Sequence, residues 1–144
     1  MHFELPDETV KEIEPLREGF DMDSTSWMVP LEKLNALAEG DENLQELLED
    51  LLDQCLRYTK SVVDHLSTLE TEGRGEEHAI KDEQRSITHT ATQDTIRIFI
   101  RNAIKAGKKL EDVRAVLPNA ESRNACGQFA LRLTLTRANN LEIQ

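Results

Sequence analysis

Aromatic side chains are nearly absent from this sequence: they make up 4% of its 144 residues, with one Trp and one Tyr. Its core must therefore be built from Leu, Ile, Val and Ala, and no row of stacking aromatics is available for single-stranded nucleic acid. Glycine and proline are also scarce, at six and four, so long stretches contain nothing to stop a helix. The two cysteines, Cys55 and Cys126, lack the paired spacing of a zinc site, which excludes a disulfide framework and a cysteine-held metal. No apolar run approaches the roughly 20 residues of a membrane span. Met1-His2-Phe3-Glu4-Leu5-Pro6-Asp7 has neither the basic nor the apolar part of a secretory leader. Together these absences predict a soluble, cytoplasmic protein, with no membrane contact, whose thiols stay reduced. Basic side chains are sparse in the first half. Residues 1–83 carry a net charge of −16 and residues 84–144 a net of +5, within a total of −11. Such segregation suits attraction between halves, inside one fold or across two subunits, and also a basic face for nucleic acid.

What is present is helical periodicity. The pattern predicts an all-α fold, an irregular bundle of five or six helices, formed by residues 1–144 as one domain. At its centre stands a long antiparallel hairpin of helices 42–72 and 76–106, joined by Gly73-Arg74-Gly75. Leu44, Leu48, Leu51, Cys55, Tyr58, Val62, His65 and Leu69 step by fours and threes. Leu47, Leu52, Leu56, Val63 and Leu66 widen that stripe into a broad apolar face. Residues 1–40 read as short helices and a loop packed on the hairpin: Asp7 caps a helix over 8–18 that Pro15 ends or kinks, and Pro30 opens another through Glu39. Trp27-Met28-Val29, an apolar triplet in that loop, is expected to plug one end of the bundle. Beyond Gly107 a brief helix over 110–117 precedes a last one over about 120–140. Phe129, Leu131, Leu133 and Leu135 alternate as in a half-buried strand. A lone strand has nothing to pair with, so helix is the better reading there.

The polar residues suggest several chemistries. His78, Asp82, Arg85 and His89 share one face of the second long helix, and His78, Asp82 and His89 are the candidate metal ligands. A carboxylate-bridged dimetal bundle needs Glu-x-x-His, and the residues three before His65, His78 and His89 are Val62, Gly75 and Ser86. With the turn centred on Arg74, residue i faces residue 148 minus i, so His65 is expected opposite Glu83 and His89 opposite Thr59. On that register three ligands do not converge, and no metal is expected. Asn124-Ala125-Cys126-Gly127-Gln128 has some likeness to a caspase nucleophile segment, but the strand-rich framework is missing and Cys126 reads as a small core residue. Residues 108–137, with Lys108, Lys109, Arg114, Arg123, Arg132 and Arg137, have the outline of a helix-turn-helix. Pro118 in its turn and the acidic whole count against it. Arg85 is expected to pair with Asp64 across the hairpin as a structural ion pair.

Arg85-Ser-Ile-Thr-His89-Thr-Ala-Thr-Gln-Asp94, continuing to Arg101-Asn102-Ala103, with Arg123 and Phe129-Ala130 later, resembles a small family of uncharacterised bacterial helical proteins. The resemblance covers about residues 75–137 and departs from the family at Thr90 and Gln93. It implies an all-helical bundle and no assigned activity.

No catalytic set, cofactor-binding loop or phosphate cradle is visible. The expected function is a non-enzymatic protein-interaction or regulatory module. Its alternatives are a DNA-binding regulator using residues 108–137 and a metal-binding or hydrolytic protein using His78, Asp82 and His89. The expected partner is a second copy of the chain or another protein. Dimerisation is expected because the apolar face from Leu44 to Leu69 looks wider than one partner helix can cover. The competing arrangement folds the basic last helix back on its own acidic hairpin.

Overall fold

A computed structural model describes residues 3–143; Met1, His2 and Gln144 lie outside the described residues. Six α-helices and one 3-10 helix make up the fold, and no strand occurs among the described residues. They are α1 (Asp7–Glu12), a 3-10 helix (Glu14–Gly19), α2 (Leu31–Ala38), α3 (Glu42–Glu72), α4 (Glu76–Lys105), α5 (Leu110–Arg114) and α6 (Arg123–Ile143).

The starts and stops follow local chemistry. Asp41 caps α3, its carboxylate accepting the Leu44 N–H at 3.0 Å. Gly73, at φ +70°, ends α3 in a conformation that a side chain would strain, and α4 begins three residues later. Two expected caps are corrected. Asp7 lies inside the first turn of α1, whose N-cap is Pro6, and Pro30 is the N-cap of α2 and not its first residue. Pro15 does interrupt the first helix: the chain tightens into the 3-10 segment around it.

The hairpin of α3 and α4 has one face filled by α6. That helix runs antiparallel to α3, since Gly127 lies against Tyr58, Thr134 against Thr59 and Arg137 against the Leu52 carbonyl. Small residues permit the close approach. Gly127, Ala130, Thr134 and Ala138 recur along one stripe of α6 and are buried, and Cys55 and Thr59 on α3 are fully buried opposite. Thr134 Oγ1 donates to the Ala130 carbonyl and stands 3.0 Å from Thr59 Oγ1, so neither hydroxyl is left unpaired in the interior. Leu44, Leu48, Leu51, Phe99, Phe129 and Leu133 complete this cluster with α2 and α5.

The N-terminal segment covers the other side of α6. Leu5, Ile13 and Leu16 form a second cluster with Leu135 and Ala138, joined by Phe20, Trp27 and Val63. Polar side chains of α6 tether the segment: Arg132 Nε donates to the Trp27 carbonyl at 2.6 Å, Thr136 Oγ1 accepts the Val29 N–H at 3.0 Å, and Arg137 Nε donates to the Phe3 carbonyl at 2.8 Å. Trp27 stacks at a tilt on Phe20, ring centroids 5.3 Å apart, with its indole N–H on the Asp21 carbonyl. The triplet thus packs on the C-terminal half of α6. The last helix packs on its own hairpin, and its arginines Arg123, Arg132 and Arg137 hydrogen-bond to backbone carbonyls.

Thr136→Val removes the acceptor for the Val29 N–H while keeping the shape. We expect a loss of about 1–3 kcal/mol in denaturant unfolding, together with a red shift of emission from Trp27, the only tryptophan.

Candidate functional site

The chemistry-bearing side chains gather in a polar seam along the upper half of the hairpin. His65 Nε2 and His78 Nε2 stand 2.9 Å apart, and Asp82 Oδ1 is 3.5 Å from His65 Nε2. Arg85 binds the same Asp82 oxygen at 2.8 Å and lies beside the Tyr58 hydroxyl. One turn on, the His89 ring packs on Tyr58 with centroids 4.8 Å apart, and its Nε2–H donates to the Arg123 carbonyl at 2.7 Å. Arg123 reaches back to Thr90 at 2.8 Å and to the Ser86 carbonyl at 3.1 Å. Each of these contacts joins two helices or two turns, so the seam zips α3, α4 and α6 together where apolar packing is thin.

This arrangement revises the expected partner of Arg85. Arg85 does not take Asp64; Asp64 pairs with Lys81 at 2.8 Å, and Arg85 takes Asp82 on its own helix. His65 meets Asp82, one residue from the expected Glu83, and also reaches His78 one turn earlier; His89 lies on Tyr58, next to the expected Thr59, so the register is close to the expected one. The metal candidates separate: His78 and Asp82 adjoin His65, while His89 is engaged by Arg123. Among the described residues no group of three His, Cys, Asp or Glu is arranged to hold a metal ion.

The electrostatics are those of a paired seam. The Arg85 guanidinium holds the Asp82 carboxyl below its usual range, and Asp82 in return raises Arg85. Burial lowers His65, with help from Arg85 and His78, and burial also lowers His89. Both imidazoles are therefore neutral at pH 7. Cys126 is buried, and burial raises its thiol, as it does that of Cys55. Neither is poised as a nucleophile.

Sequence reasoning missed Tyr58, Arg123 and above all Gly127. A Cβ at Gly127 would fall 2.8 Å from His89 Nε2 and 3.1 Å from the Tyr58 hydroxyl. The glycine is the socket into which the two rings fit.

A second feature lies on the opposite side of the hairpin from α6. Ile80, Ile87 and Ile98 are 44%, 62% and 45% exposed. At about 100° per residue these three fall within roughly 20° of one line along α4. The buried residues Thr92, Ile96, Phe99 and Ala103 lie about 130° away. So α4 is apolar on two faces, and only one is covered by the chain itself. Grooves flank the open face, one where Ile87 meets Val63, Ser61 and Asp64, the other where Ile98 meets Leu47, Asp50 and Asp53. The sequence carried this signal: sorting the apolar residues of α4 by angle divides them into two sets.

Comparison of the chain with protein-family models, curated proteins and solved structures returned no match. Among the described residues no helix is long and apolar enough to cross a membrane.

Two outcomes follow from the seam. Glycine to alanine inside a helix ordinarily stabilises by about 0.5–1 kcal/mol. Gly127→Ala should instead destabilise by about 1–3 kcal/mol, and His89→Ala in the same chain should relieve most of that loss; urea titrations of the two single variants and the pair close the cycle. The second outcome concerns pH. Because the folded imidazoles bind protons less readily than unfolded ones, their contribution is intact above the ordinary value of 6.5 and is lost as pH falls through the lower folded values. Thermal melts at pH 7.5 and 5.5 should show the wild type losing more stability on acidification than a His65→Gln, His89→Gln variant.

Proposed function

We propose that this chain is a non-enzymatic protein-interaction module whose contact surface is the outer face of α4. The observation that carries the reading is the exposed line of Ile80, Ile87 and Ile98. Single exposed apolar residues are ordinary on a protein surface, but three on one line of one helix, with grooves beside them, form a patch that water covers at a cost.

The state of the remaining functional groups supports the same reading. His65 is paired with His78, Arg85 with Asp82 and His89 with a carbonyl. The two thiols are buried. Among the described residues no nucleophile, base and oxyanion donor converge on one point. The basic C-terminal segment, the basis of the DNA-binding alternative, directs Arg123, Arg132 and Arg137 at internal acceptors, which leaves fewer cations for phosphates.

An Ile87→Glu, Ile98→Glu variant tests the surface, with Ile104→Glu as control: Ile104 is 41% exposed on the same helix, away from the line. Both variants should keep the wild-type melting temperature, since surface changes cost within about 0.5 kcal/mol. Proteins cross-linked to the wild type in the cells that make it should be retained by the control and lost from the double variant. Equal retention by both would exclude this face as the contact.

A further inference from the structure

We infer that the cleft between the end of α4, α5 and the turn that follows is a binding site for a small aliphatic carboxylate. Its chain lies on the inner apolar wall and its head is held by Arg101 and Arg114. The cleft is distinct from the outer face of α4, and this site stands whether or not that face is a contact surface.

The way α4 ends creates the space. Gly107, at φ +90°, takes a conformation that other residues adopt only with strain. Its N–H bonds the Ile104 carbonyl at 3.0 Å, and the Lys108 N–H reaches back to the Ala103 carbonyl at 3.1 Å. This closure turns the chain so that α5 packs beside the last turns of α4. The turn over residues 118–121 forms the remaining wall, and two side chains of α4 pin it. Gln93 Nε2 donates to the Ala120 carbonyl at 2.8 Å, and Arg97 Nε donates to the Glu121 carboxylate at 3.2 Å. The cleft has a volume of about 490 Å³, within the roughly 300–1,000 Å³ of small-molecule sites.

Its lining sorts by depth. Val113 and Leu117, 1% and 6% exposed, form the inner wall with half-buried Ile100 and Pro118. Arg101, Leu110 and Arg114 are exposed and stand at the mouth. Leu110, like Ile87 and Ile98, is a large apolar side chain that the fold leaves uncovered. Arg97 and Arg101 on α4 are four residues apart, as are Leu110 and Arg114 on α5, so each pair shares one face of its helix.

Charge selects the head of the ligand. Three arginines line the cleft against one acid, Glu121, in a chain whose net charge is −11. Arg97 is engaged by Asp94 at 2.9 Å as well as by Glu121. Arg101 and Arg114 have no hydrogen-bond or ion-pair partner among the described residues. Two unneutralised guanidiniums from separate helices thus border one apolar cleft, and a planar carboxylate can accept from both. No aromatic side chain lines the space, so a nucleobase would find nothing to stack on. Aliphatic inside and cationic at the mouth, the cleft matches a carboxylate on a saturated chain.

Calorimetric titration of the full chain with octanoate at constant ionic strength should give a Kd on the order of 0.1–1 mM. Along hexanoate, octanoate and decanoate, binding should tighten about two- to fourfold per methylene. An Arg101→Gln, Arg114→Gln variant should keep the wild-type melting temperature, since neither arginine is tied into the fold, and should bind octanoate about tenfold or more weakly. Lys105→Gln, one turn beyond Arg101, exposed and outside the lining, should bind like the wild type. Octanol binding as tightly as octanoate would show an apolar hollow without anion recognition and would overturn the inference. So would acetate binding as tightly as octanoate, or Lys105→Gln losing as much as the double variant, either of which would mean diffuse charge alone. Absence of saturable octanoate binding up to about 10 mM would also overturn it.

Discussion

The fold depends on how closely α6 can approach α3. Gly127, Ala130, Thr134 and Ala138 supply a stripe without bulk, and Cys55 and Thr59 answer it with small side chains. That approach lets one helix lie in the groove of a two-helix hairpin and still offer its far side to the N-terminal segment. Larger residues along the stripe would push α6 outward. Phe129 and Leu133 would lose their seats, and Arg132, Thr136 and Arg137 would no longer reach the carbonyls and amide that hold residues 3–29. The two hydrophobic clusters share Val62 and Leu131 at their margins, so both are built on this single helix.

The polar seam extends the arrangement to where apolar contact runs out. Above residue 60 of α3 the hairpin loses the cover of α6, and Thr68 is the one buried residue between there and the turn. Lys81 with Asp64, His65 with His78, and Arg85 with Asp82 take over the pairing. Exposed ion pairs contribute little each, typically under about 1 kcal/mol. The tip of the hairpin is accordingly the less stable end of the molecule, and its histidines are placed to sense acid there.

The sequence was a good guide where a helix has one dry face and one wet face. α3 was legible almost to the residue, because its stripe of leucines and its acidic outer face separate cleanly, and Asp41 and Gly73 mark its ends. It was a poorer guide to α6 and α4, for opposite reasons. α6 is buried nearly all round from Leu133 to Ala138, so no face stands out, and chance alternation of leucines with threonines imitates a strand. α4 is apolar on two faces, so its residues read as one broad set until sorted by angle. The seam was read only in part, because the register brings the neighbourhood of Glu83 to His65 but does not show that Asp82 is the residue met or that His78, one turn earlier, reaches it too. Gly127 could not be singled out, since a glycine that admits two neighbouring rings looks in sequence like a weak point in a helix.

The central helix of this fold is the last of the described elements. Synthesis delivers the N-terminal segment first, yet the Val29 amide waits for a hydroxyl 107 residues later in the chain, and the Phe3 carbonyl for a guanidinium 134 residues later. Until α6 has been synthesised, the hairpin can close but its inner groove stays open and residues 3–29 have nothing to hold. Contacts so far apart are slow to form, and an unfinished groove is a sticky surface while it lasts. Completion of this fold thus waits for α6, and a chain stopped before it would be a hairpin without its keystone.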